Sequence, residues 1–134
     1  MTSSADYDDY KAGTKYPIFD GERENWKFYK KMMQSYLARV GLGELLQKAV
    51  GEKILADGAT PVGSDEDKEE ALKLRKANRK AAGILLSSLD YKTSKGQVAF
   101  SIVERFHDEN DGYAGGHFYK AWEALKKRYE VQEV

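Results

Sequence analysis

Apolar residues recur along this chain three and four positions apart, in five separate stretches, and each stretch predicts a helix with one buried face. Trp26, Tyr29, Met33, Tyr36, Leu37 and Val40 line one side of a helix predicted over about Glu24 to Val40, with Lys27, Lys30, Lys31 and Gln34 opposite. Gly41 ends it. Leu45, Leu46 and Val50 predict a short second helix, about Glu44 to Val50, and the stretch Asp57 to Gly63 reads as a loop. Ser64 stands where an N-cap belongs. Asp65, Glu66 and Asp67 follow in the first turn, where the helix dipole favours carboxylates. The third helix is predicted to run long, about Asp65 to Leu89, on an inner stripe of Ala71, Leu74, Ala81, Ile84, Leu85 and Leu89. Val98, Ile102, Val103 and Phe106 predict a fourth, about Gly96 to Phe106; Phe118, Ala121, Trp122, Leu125 and Tyr129 predict a fifth, about His117 to Glu130. The polar stretch 107–116, with three glycines, reads as a solvated loop. Residues 1–15 carry no such periodicity and read as a flexible lead. The expected architecture is all-α: a compact bundle of about five helices over residues 16–134, with no strand.

The length of 134 residues fits one domain and one core. Charge narrows the partners. Lys and Arg number 22, Asp and Glu 22, so the net charge is zero with His neutral. Phosphate binding needs an excess of cations on one face, so RNA is expected only as an indirect or weak partner. Weak self-repulsion favours association. The basic run Lys73, Arg75, Lys76, Arg79 and Lys80 reads as the solvated side of the third helix, with Glu69 and Glu70 as neighbours of opposite sign.

The absence of cysteine excludes disulfides, zinc knuckles and thiol nucleophiles. No apolar run approaches the ~18 residues of a membrane span, and the first residues lack the basic and apolar regions of a secretory signal. A cytoplasmic protein without a membrane partner is the expectation.

Candidate chemistry is thin. His107, Asp108, Glu109 and Asp111 suggest a metal loop, but Phe118 stands where an EF-hand places its bidentate glutamate. Gly112, Gly115 and Gly116 precede a helix as in phosphate loops, yet no Lys-Ser/Thr pair ends the run and no strand leads into it. Ser87 and Ser88 have no histidine near them in sequence and no strained elbow. No nucleophile, base and orienting group can be assembled, so no enzyme activity, cofactor, metal or small-molecule substrate is expected. Trp26 and Trp122 read as core, and truncating either to Ala should cost roughly 3–5 kcal/mol.

The order of the aromatic residues goes further than any single helix. Phe19-Asp20-Gly21 is followed by Asn25-Trp26, Tyr29, Met33 and Leu37. The run Ala81-Ala82-Gly83-Ile84-Leu85-Leu86-Ser87-Ser88-Leu89 comes mid-chain, and Trp122, Leu125 and Tyr129 close it. In order and spacing this resembles the Gag capsid region of copia-type (Pseudoviridae) LTR retrotransposons over residues 16–130. The resemblance implies a retroviral-capsid-like N-terminal lobe that packs with copies of itself into pentamers and hexamers around the element's RNA. A second lobe and a zinc knuckle would normally follow such a lobe. The expected role is therefore a structural Gag domain that self-associates into rings or shells of a virus-like particle, with Lys27, Lys30 and Lys31 on the assembly surface. The alternatives are a domesticated Gag-derived helical adaptor that binds a cellular protein, or an RNA-contacting module.

Overall fold

A computed structural model describes residues 15–130. The predicted lead lies outside the described residues, apart from Lys15, which is exposed. Five α-helices follow in order: α1 Trp26–Arg39, α2 Lys48–Gly51, α3 Asp65–Ser87, α4 Ser94–Glu104 and α5 Phe118–Tyr129. Single 3-10 turns lie at Arg23–Asn25, Gly43–Leu46 and Glu109–Asp111. Among the described residues no strand forms; two isolated bridges pair Phe19 with Leu89 and Asp108 with Tyr113. The domain is all-α.

Local chemistry accounts for the boundaries. Ser64 caps α3 as the sequence predicts, in a reciprocal box: its hydroxyl accepts from Asp67 N at 3.1 Å, and the Asp67 carboxylate accepts from Ser64 N at 3.2 Å. Thr93 starts α4 two residues before the predicted point, because its hydroxyl accepts from Gly96 N at 2.9 Å. The second predicted helix is broken in two at Gln47, whose ψ of 134° is extended.

Ahead of α1, Phe19 is wholly buried. Its N–H donates to Ser88 O at 2.8 Å and its carbonyl accepts from Asp90 N at 2.9 Å, so the chain straps the end of α3. Gly21 then turns with φ at +85°. A Cβ there would lie 2.1 Å from Lys95 O, which explains why a glycine follows Phe19 and Asp20. Asp20 fixes the turn by accepting from Glu22 N at 2.9 Å and from Asn25 Nδ2 at 2.8 Å.

The core joins this strap to α1 and α5. Phe19 stacks on Tyr29 at 5.0 Å and meets Tyr129 edge-on at 4.9 Å. Trp26 lies 5.6 Å from Trp122, which stacks on Phe118 at 5.9 Å. Met33, Leu37, Leu85, Leu89 and Leu125 are buried in the same core. Of the residues that carry the family resemblance, Phe19, Trp26, Tyr29, Met33, Leu37, Leu85, Leu89, Trp122, Leu125 and Tyr129 share one core, while Asn25 and Ser87 are exposed and Ile84 is not fully buried. Ile84 packs against the core edge, because at 100° per residue the inward face of α3 is taken by Ala81, Ala82 and Leu85. Ala71 and Leu74 are likewise only half-buried, and Val98 is 42% exposed while Ala99 takes the inner place on α4.

Candidate assembly surface

α1 shows two faces. Trp26, Tyr29, Met33, Tyr36 and Leu37 face the core. On the far side Phe28 is 74% exposed and Met32 55%, one turn apart, with Lys31, Ser35 and Arg39 beside them and Lys27 on the flank. Large apolar side chains adjacent on one exposed helix face are the kind of feature that marks an interaction surface. The sequence reading missed this pair because it tracked only the buried stripe; the signal was an apolar i, i+4 pair off that stripe.

The three lysines assigned to this surface do not stand together. Lys27 and Lys31 are exposed. Lys30 instead sits at the rim of the core in an ion pair with Glu130. The same carboxylate accepts from Trp26 Nε1 at 3.3 Å, and the pairing holds it below the usual glutamate range against the opposing effect of burial. Arg23 Nη2 adds a bond to Arg128 O at 2.8 Å. Lys30 therefore helps to clamp the start of α1 to the end of α5. A partner 100 residues away cannot be read from helical periodicity.

The loop 107–116 is built rather than loose, a correction to its reading as solvated. Asp57 is its hub. Its backbone N–H donates to Gly112 O at 2.7 Å, its carboxylate accepts from Ala114 N at 3.0 Å, and it pairs with Arg79 at 2.9 Å. That arginine holds the Asp57 carboxyl below its ordinary range. Arg75 Nη1 donates to the carbonyls of Ala56, Asp57 and Ala59. Tyr113 donates its hydroxyl to Ile54 O at 2.7 Å and meets the His117 ring edge-on at 4.7 Å. Beneath the loop lies Asn78, 1% exposed: its Nδ2 donates to Gly116 O and its Oδ1 accepts from Phe118 N, both at 2.8 Å.

These groups make a scaffold. His117 is buried and caps α5, its Nδ1 accepting from Lys120 N at 3.3 Å. Burial, with Lys120 adding to it, takes its pKa down to about 4. Burial also lowers that of His107, opposed by Glu104. Ser88 is wholly buried and donates to Leu85 O at 2.6 Å while the Tyr29 hydroxyl bonds to its Oγ at 2.6 Å, which spends its hydrogen-bonding capacity inside the core. Burial pushes the Tyr29 phenol up. Among the described residues no three His, Asp or Glu side chains are grouped to hold a metal ion, and no helix is long and apolar enough to cross a membrane.

A groove of about 490 Å³ runs between α4 and α5, floored by Val98, Ile102 and Ala124 and edged by Arg105, Lys127 and Arg128. No protein-family model matches the chain, and no curated protein or solved structure matches it either.

Proposed function

We propose that this chain is a non-enzymatic, cytoplasmic assembly domain: a capsid lobe of copia-type Gag character that self-associates, through the outer face of α1, into rings or shells. The observation that carries the reading is the exposed pair Phe28 and Met32 on α1, with Lys27 and Lys31 beside it. It is supported by the convergence of Phe19, Trp26, Tyr29, Trp122 and Tyr129, the residues of the resemblance, on one core. Withdrawing one such side chain from water favours contact by roughly 1.5–3 kcal/mol. A single contact of this size is weak, and a closed ring multiplies it. Zero net charge leaves little long-range repulsion to overcome.

Sedimentation velocity over a concentration series, with negative-stain microscopy at the top concentration, tests this. Wild type should form larger species as concentration rises. Phe28→Ser with Met32→Ser should remain smaller at every concentration with unchanged helicity. Larger species that persist in that variant exclude α1, and a wild type that stays monomeric throughout excludes self-association.

A second reading, an adaptor for a cellular protein, is favoured by the α4–α5 groove, whose rim carries three cations and an apolar floor. It would take an acidic, partly apolar peptide. Such a peptide should bind wild type and lose its affinity for Arg105→Glu, while the α1 variants should bind it unchanged.

A further inference from the structure

The outer face of α3 carries a charge pattern complementary to itself. At 3.6 residues per turn, Asp65, Glu69, Leu72, Lys76 and Lys80 share the side of α3 opposite Ala81 and Leu85. All five are exposed, Leu72 to 44%. Along the helix the order is acid, acid, apolar, base, base. Glu69 stands about 4.5 Å to one side of Leu72 and Lys76 about 6 Å to the other; Asp65 and Lys80 stand at about 10.5 and 12 Å. The two arms match closely about Leu72.

Within the helix this arrangement is favourable only at the first turn, where the dipole suits Asp65, and in the Glu69–Lys73 pair four apart. Asp65 and Glu69, Glu66 and Glu70, and Lys76 and Lys80 are like-charge neighbours four apart, which oppose helix formation, whereas alternating signs would favour it. Nor, among the described residues, are the charges spent elsewhere. Arg75 and Arg79 reach back to the 56–59 turn, and Asp67 is used in the cap. Among the described residues the ion pairs are Lys30–Glu130, Arg79–Asp57, Lys95–Glu22 and Lys126–Glu123, so Asp65, Glu69, Lys73, Lys76 and Lys80 remain without one there.

We propose that this face of α3 docks a second copy of the chain, antiparallel, about a two-fold axis through Leu72. Each Glu69 then lies beside the other copy's Lys76 and each Asp65 beside its Lys80, with the two Leu72 side chains in contact at the centre. A single-sign patch would recruit a partner of opposite charge. A stripe whose halves are opposite and evenly spaced is matched by its own reversal. The contact is isologous, unlike a ring contact, and it stands on the α3 charges rather than on the α1 reading. A face of about 23 Å on one helix is narrower than stable interfaces need, so the dimer is weak and reversible. Its exposed charges make it sensitive to salt.

The chain contains no cysteine, so Leu72→Cys supplies its only thiol. Under mild oxidation at low salt, Leu72→Cys should give disulfide-linked dimers at least fivefold faster than Val62→Cys, an exposed control, and the excess should vanish at high salt. In sedimentation at low salt, Lys76→Glu and Glu69→Lys should each weaken self-association at least tenfold. The double variant, which reverses both arms, should regain it. Circular dichroism follows helicity throughout, and Lys80→Glu with Asp65→Lys serves as a second pair. Equal cross-linking rates for Leu72→Cys and Val62→Cys, or a double variant as dissociated as the singles, would overturn the contact. Phe28→Ser with Met32→Ser should leave it intact, which separates its failure from failure of the α1 reading.

Discussion

Asn78 is the polar side chain on which the inner face of α3 depends. Its amide links α3 to Gly116 O and Phe118 N, and so holds the first turn of α5 against α3 from within the core. Asn78→Ala would strand a buried carbonyl and a buried N–H. The expected loss is about 3 kcal/mol, read as a lower urea midpoint with unchanged slope. Lys80→Ala, exposed on the same helix, should change stability by less than about 0.5 kcal/mol. Asn78 also shows where sequence reasoning stops. Helical periodicity located the stripe from Leu74 to Ala81 and Leu85, because transfer of apolar surface from water is a local property of residue type. It passed over Asn78, which lies between them on the same face, because what makes an asparagine worth burying is a carbonyl and an N–H about forty residues away. Lys30 failed in the same manner. Its type and its position on α1 read as solvent, and only the folded chain supplies Glu130. Trp26 and Trp122 were legible as core because their burial follows from size and helical position alone, whereas Phe19 and Gly21 stood out only through the resemblance.

At the scale of elements, α5 and the loop before it behave as one unit, and His117 connects them. As N-cap it accepts from Lys120 N through Nδ1, which it can do only while that nitrogen is unprotonated. The charged group that acts on it is Lys120 on α5, and the Tyr113 ring covers it edge-on. The folded pKa, about 4, lies below the ordinary value of 6.5. The unfolded chain therefore takes up a proton first. Stability is full above about pH 6.5 and declines as pH falls toward 4, where the native ring also begins to titrate, for a loss of roughly 3 kcal/mol. His107, lowered in the same direction, adds to the decline. Asp57 and Glu130, both lowered by cationic partners, contribute stability that is lost only at more acid pH. His117→Ser keeps a capping oxygen and removes the titration. Its unfolding free energy should vary less between about pH 7 and 4.5 than that of wild type, even though the smaller side chain lowers stability at neutral pH. A variant with the wild-type slope would assign the acid sensitivity to other groups. The sequence placed His117 at the start of a helix but treated the preceding loop as solvent, since a run of polar and glycine residues gives no periodic signal of the contacts that bury it.

For the whole molecule, two self-contacts of opposite physical character are proposed on one neutral chain, and salt separates them. Zero net charge means that screening does not relieve a global repulsion, so the salt response reports local contacts. The α3 pairing rests on exposed opposite charges. Its attraction fades as the Debye length falls from about 10 Å at 0.1 M to about 3 Å at 1 M. The α1 contact rests on Phe28 and Met32, and excluded salts such as sulfate strengthen it. Sodium chloride should therefore dissociate low-salt dimers, while sodium sulfate should drive larger species from the same preparation. Phe28→Ser with Met32→Ser should abolish the sulfate-driven species and spare the dimers; Lys76→Glu should do the reverse. An isologous contact alone stops at two copies, and a heterologous contact alone closes a ring or runs on as a filament. Together they join rings edge to edge, which is what a shell requires of its subunit. If at low salt wild type forms shells while Lys76→Glu forms only isolated rings, the α3 contact is the link between them. If intact shells form from that variant, the two-fold lies elsewhere on the chain.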